Sequence, residues 1–291
     1  MSISPEALAA WLGDLRQARF GLRDDTGATL DCLKIAPDPA GGYLGVNHTM
    51  KDGVFHLRLT QSTDFINWRY LATLDTHASQ GELLPLSNGT FVLAYEHDEP
   101  NSTFVRVRRY TSREDLIRGK FAMETTLGRT LAPTAEGTPS IERATRDALT
   151  LRFHYYRNGD VDRAAKGTLR VDSWTTEIDN GLNAAVEAYN VRGNIGGRTK
   201  FFLGGKPWYL QEGQLGKNDW ASWRLFLLDG ACRKALLLPL QTPGGSLSFA
   251  NPFVGVFGQT VVMTAFMPSE GNARGEAGAM LCIKDGKEAP R

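Results

Sequence analysis

The chain has 291 residues, with 33 Lys+Arg against 32 Asp+Glu and a formal net charge of +1. That balance argues against a nucleic-acid partner, whose phosphates select a basic excess. No apolar run approaches the roughly 18–20 residues of a membrane span, and 42% hydrophobic with 22% charged residues is ordinary for a folded chain.

The N-terminus predicts a short helix. Ser4 is a candidate N-cap, Pro5 suits the first helical position, and Glu6 lies in the first turn. Ala7, Leu8, Trp11, Leu12 and Leu15 then recur at helical spacing, so the helix should cover a larger body. No basic stretch precedes an apolar core, so no signal peptide is expected, and a cytoplasmic location is the expectation. Cys32, Cys232 and Cys282 are widely spaced and match no zinc or redox pattern; buried thiols are expected.

Beyond the helix the chain turns to short β-rich runs separated by Gly, Asn, Asp and Pro turns. No second amphipathic helix of normal length stands out. Five segments share one layout of three strands joined by a tight turn and a loop. They open on DCLKIA, GELLPLS, EGTPSIER, GRTKFFL and ANPFVGV, at intervals of roughly 50–60 residues. This period predicts an all-β fold, a five-bladed β-propeller with a short N-terminal helix, in one domain over residues 1–291. Blades should start near residues 28, 80, 134, 195 and 248. A fourth strand is clear only in FINWRYLATLD. ARFGLR, within residues 1–27, is the candidate outer strand for blade 5.

In a propeller, antiparallel pairing brings the starts of first strands and the ends of second strands to one face. The starts give Asp31, Glu82, Glu136, Arg198 and Asn251. The second-strand ends give His48, Glu96, His97 and Glu212, among others. Carboxylates converging on one mouth repel and desolvate poorly, so packing alone does not explain them. On this reading Asp31, Glu82 and Glu136 are candidate functional acids of that face. His48, Glu96, His97, Arg198, Glu212 and Asn251 are substrate-binding candidates, with Arg198 suited to a carboxylate or an anionic substrate group. No metal-ligand set and no cofactor motif appears, although a calcium in the channel is compatible with so many carboxylates. Oligomeric state is not legible.

The start of blade 1, the STDFINW segment and EGTPSI together resemble the five-bladed propeller glycosidases of the glycoside hydrolase family 43 type, the arabinofuranosidase and xylosidase superfamily. The resemblance covers the blade plan from about residue 28 to the end. It implies a catalytic base at Asp31, a general acid at Glu136, and a modulating acid in blade 2, where this chain has Glu82 and the family has Asp. It also implies a carbohydrate substrate, a small glycoside or pentose-containing glycan. Asp31 is followed by Cys32, where the family has Asp-Pro. The chemistry needs one ionised carboxylate to activate water and one protonated carboxyl for the leaving oxygen. Diametric placement across a channel suits the wider spacing of inversion.

Other motifs read as structure. In STDFINW, Asp64 should bond backbone amides and Trp68 should pack between blades. Trp208, Trp220 and Trp223 fit packing better than sugar stacking. RGNIGGRTK lacks the strand–loop–helix setting of a phosphate loop. Two other functions stay open. One is a propeller enzyme of small-molecule metabolism catalysing a cyclisation, elimination or isomerisation. The other is a non-catalytic glycan-binding propeller.

Overall fold

The structure, a computed structural model, describes residues 3–171 and 173–290. The N-terminal helix α1 (Pro5–Gly13) forms as expected: Ser4 Oγ accepts from the Ala7 amide at 3.1 Å, and Leu8 and Leu12 are buried. After β1 (Arg19–Phe20), blade 1 comprises β2 (Asp31–Pro37), β3 (Tyr43–Lys51), β4 (Val54–Ser62) and β5 (Arg69–Thr76). Blade 2 comprises β6 (Ala78–Pro85), β7 (Phe91–Glu99), β8 (Ser102–Tyr110) and, after helix α2 (Arg113–Ile117), β9 (Met123–Thr126). Blade 3 comprises β10 (Glu136–Ala144), β11 (Ala148–Arg157), β12 (Val161–Arg170) and β13 (Ser173–Ile178). Helix α3 (Asn180–Glu187) leads to blade 4: β14 (Arg198–Leu203), β15 (Lys206–Gln214), β16 (Trp223–Asp229) and β17 (Ala235–Leu237). Blade 5 comprises β18 (Ala250–Phe257), β19 (Thr260–Met267) and β20 (Gly278–Asp285), and β1 supplies its outer strand by pairing Arg19 with Leu281. Five four-stranded antiparallel sheets make the fold a five-bladed β-propeller.

Each blade thus has the fourth strand that was hard to see in sequence. β9, β13 and β17 are short and largely exposed, so they carry little apolar alternation. Helix α3 is likewise not visible in the sequence pattern, because two turns offer too few apolar repeats for a period. Asp179 caps it through the Leu182 amide, and Leu182 and Val186 are buried.

The chain forms two compact units. One holds residues 23–160 and the β12–β13 hairpin from residue 165, which together make blades 1 to 3. Here strands bury both faces, as β7 illustrates. Phe91, Leu93 and Tyr95 join Leu44, Val46, Leu57 and Leu59 of blade 1, while Val92 and Ala94 join Leu149, Leu151 and Phe153 of blade 3. The period-2 alternation of a strand feeds two separate cores. The other unit holds α1, β1, residues 161–164, α3 and blades 4 and 5. In it α1 places Leu8 and Leu12 among Phe201, Leu225, Val261 and Met263. All three cysteines are free and buried. No described helix is long and apolar enough to cross a membrane.

Four inner strands share one irregularity. Cys32, Gln80, Thr138 and Asn251 lie in the left-handed region, with φ of 55°, 52°, 46° and 47°. At each the ladder slips: between Asp31 and Lys34, Ser79 and Glu82, Gly137 and Ser140, and Ala250 and Phe253. These are bulges that bend the strand and re-aim its side chains. They also fix which residues are equivalent. Asp31 corresponds to Ser79 and Gly137, whereas Glu82 corresponds to Lys34. The head of the blade 2 inner strand is therefore Ala78, not Glu82.

Lys34 is the cation in an otherwise apolar inner run, and it is 5% exposed. Its ammonium donates to Glu82 Oε2 at 2.8 Å and to the Pro139 carbonyl at 3.3 Å, so one side chain joins blades 1, 2 and 3. Removing one partner of a buried pair leaves the other charge unmatched. Lys34→Met should cost about 3 kcal/mol in urea unfolding, and adding Glu82→Gln should restore part of that loss.

Candidate active site

The bulge sends a backbone amide toward the preceding blade, and a buried amide needs an acceptor. Gln80 N–H donates to His48 Nδ1 at 3.4 Å, Thr138 N–H to Glu96 Oε2 at 2.6 Å, and Asn251 N–H to Glu212 Oε2. Four candidate binding residues, His48, Glu96, Glu212 and Asn251, therefore belong to one repeated latch between consecutive blades. Thr138 is β-branched, so its left-handed backbone costs on the order of 1–3 kcal/mol. Glu96 Oε2 also accepts the Thr138 hydroxyl at 3.0 Å, which helps hold that conformation.

Close glycines make room for these acceptors. A Cβ on Gly137 would lie 2.1 Å from Glu96 Oε2, and one on Gly196 would lie 2.3 Å from Glu212 Oε1. Gly197 N–H also donates to Glu212 Oε1. The glycines of RGNIGGRTK thus admit a carboxylate of the chain itself. Arg198, fully buried, donates to Gln211 Oε1 at 2.9 Å and to the Gly196 carbonyl.

The three catalytic candidates lie in the unit of blades 1 to 3, in different settings. Glu136 is 3% exposed, and its Oε1 accepts from the Thr130, Leu131 and Ala132 amides at 2.8, 2.5 and 3.0 Å. It anchors the loop that covers it. Glu82 is paired with Lys34. Asp31 is half-buried and accepts from Thr29 Oγ1 at 2.8 Å. Burial pushes its carboxyl above the ordinary range, against the opposing pull of Thr29 and Arg23. Burial also pushes Glu96 up, with the His154 charge opposing it, Asp98 adding to it and the Thr138 donors opposing it.

Asp31 opens on a pocket of about 820 Å³. Arg23, Lys51, His56, Arg58, Met50 and Tyr70 line it, with the hydroxyls of Thr26, Thr29, Thr49 and Thr73. Arg58 pairs with Asp24 at 2.9 Å and lies 4.3 Å from the Tyr70 ring centroid. Tyr70 OH lies 3.0 Å from Thr73 Oγ1. These residues come from the segment before β2, the β3–β4 hairpin and β5. Of these only Asp31 is marked in the sequence, because hairpin turns and outer strands carry no motif. Lys51 beside its Asp52-Gly53 turn was the one visible signal.

His97 lies elsewhere, 3.5 Å from Asp75 Oδ2 and 3.4 Å from Arg106. Asp75 also accepts from Tyr95 OH at 2.6 Å and from Arg108 at 3.1 Å. Burial works against the Asp75 charge, but the Tyr95 hydroxyl and Arg108 outweigh it and lower the pKa. Asp64 behaves as expected: amide donation, chiefly from Asn67, lowers its pKa to about 2. Trp68 is buried against Gly45 and Leu33 of its own blade. Trp208 and Trp223 are buried, whereas Trp220 is 52% exposed. Among the described residues, no group of three or more His, Cys, Asp or Glu is arranged to hold a metal ion.

Solved structures share this fold. A protein described as a glycoside hydrolase aligns over 92% of this chain and 90% of its own, with a TM-score of 0.64 and 10% identity. An α-L-arabinofuranosidase from Podospora anserina, solved with cellotriose, aligns over 91% and 94%, at 0.55 and 12%. A family 43 endo-arabinanase from Bacillus licheniformis aligns over 92% and 96%, at 0.54 and 11%. At these identities the likeness is one of fold. No protein-family model and no curated protein matches the chain.

The latch carries a pH dependence. His48 is 6% exposed, and burial lowers its pKa from 6.5 to about 4. The unfolded chain therefore takes up this proton first as pH falls. The stability is complete above pH 6.5 and is lost progressively toward pH 4, by about 3 kcal/mol. His48→Gln keeps an acceptor without titrating. Urea unfolding between pH 7 and pH 4 should show a shallower decline in that variant by the same amount.

Proposed function

We propose that this propeller is a carbohydrate-active enzyme that hydrolyses a glycosidic bond at the Asp31 pocket. The observation that carries the reading is Asp31 itself. It is a half-buried carboxyl at the head of the first inner strand, and it opens on a cavity of mixed polar and apolar lining large enough for a sugar. The fold it shares with a glycoside hydrolase, an arabinofuranosidase and an endo-arabinanase supports the class of reaction.

In the mechanism proposed, Asp31 takes a proton from water as the water attacks the anomeric carbon. Thr29 Oγ1 orients its carboxylate. Glu136 is the proton donor that the family resemblance assigns, and three amides fix its orientation through Oε1. Glu82 acts through Lys34 as a modulating charge. Water that attacks directly, opposite the leaving group, gives inversion.

A specific observation favours a second reading, glycan binding without cleavage. Glu136 is almost wholly buried, and Glu82 is neutralised by Lys34. A binding propeller needs neither group at the substrate.

Asp31→Asn separates the two readings. On a glycoside found by screening, an enzyme using Asp31 as base should lose about 10²–10⁴-fold in turnover while staying folded. The acid limb of wild-type kcat/KM should lie above the ordinary carboxyl range, because burial raises Asp31. Activity should fall as pH drops through that limb. Full turnover by the Asn variant removes Asp31 from catalysis, and glycan binding by wild type without product release establishes the second reading.

A further inference from the structure

We infer that the ligand of the Asp31 pocket carries a carboxylate, as a uronate-bearing glycoside does. This rests on the proposal that the pocket binds carbohydrate, and it adds the charge of the sugar.

Asp31 is the one carboxyl among the described lining residues, against the three cations Arg23, Lys51 and Arg58. The charge of Arg58 is spent within the protein, on Asp24 at 2.9 Å. Arg23 and Lys51 are different. Both are exposed, and among the described residues neither is in an ion pair. Arg23 Nη1 donates to the Gly27 carbonyl at 2.7 Å, which fixes the guanidinium beside the pocket without neutralising it. Arg23 is also close enough to Asp31 to pull its pKa down. A neighbouring acid, Asp25, is held by the Tyr70 amide at 2.8 Å and does not line the pocket.

The neutral surface suits a sugar ring. Met50 is 54% exposed, and Tyr70 presents a ring already supported by Arg58. An apolar face with hydroxyls around it matches a pyranose, whose C–H face and rim of hydroxyls have the same division. One Asp31 cannot balance both Arg23 and Lys51. A ligand carboxylate supplies the missing charge, and the guanidinium fork of Arg23 can take it in two hydrogen bonds.

The test is calorimetric titration of the full chain with matched probes: digalacturonic acid, its methyl ester, and neutral xylobiose. The expected result is binding of the acid at least tenfold tighter than of the ester or xylobiose. That preference should shrink as salt rises from 50 to 300 mM. Lys51→Met and Arg23→Gln should each weaken the acid about tenfold and the ester by much less, so that the preference for the acid shrinks. Both residues are exposed, so the variants are expected to fold. Asp31→Asn should retain or tighten binding of the acid, because it removes the repelling charge. Equal affinity for acid and neutral sugars overturns the inference and leaves the carbohydrate reading standing. Absence of binding by all three probes overturns both.

Discussion

A residue in the left-handed region at the head of an inner strand turns its amide out of its own ladder. Where water is excluded, a donor left without an acceptor costs about 1–3 kcal/mol. The acceptor comes each time from the second strand of the preceding blade: His48 for Gln80, Glu96 for Thr138 and Glu212 for Asn251. Antiparallel pairing makes this possible, since His48 sits opposite Asp31 and Glu96 opposite Ser79. The latch therefore follows from the repeat and is placed by the same register that builds each blade.

Once the latch is formed, the side chains near the mouth divide by role. Glu96 and Glu212 are committed to backbone amides, and Gly137 and Gly196 are small because those carboxylates press against them. Glu136 is committed to its covering loop, and Glu82 to Lys34. Asp31 differs, because its position in blades 2 and 3 is taken by Ser79 and Gly137. No other inner strand of that unit carries an acid at that register. The asymmetry between blades is what turns one repeated position into a candidate site.

The electrostatics of the pocket follow the same logic of commitment. Arg58 is matched by Asp24 and lends its face to Tyr70. Among the described residues, Arg23 and Lys51 are in no ion pair. The near-zero net charge of the whole chain conceals this, because acids are spent on amides and ion pairs while two cations stay at the pocket.

The repeat, the five blades, the capped N-terminal helix and the strand that completes blade 5 are all legible in the amino-acid pattern. These depend on local pattern: a Ser-Pro start, alternating apolar residues, and turns at a regular interval. The pattern also marks Asp31, Glu136 and the acids near them as a group. Which of those acids face a cavity depends on how the strands pair and bulge. A bulge shifts register by residues that look alike in sequence, so Glu82 read as the counterpart of Asp31 and is the counterpart of Lys34. Short outer strands and the two-turn α3 lacked the length for a period. Lys51 and Tyr70 are distant from Asp31 along the chain and reach it through the successive pairing of β2, β3, β4 and β5, whereas Arg23 is held beside it by a bridge to Thr29.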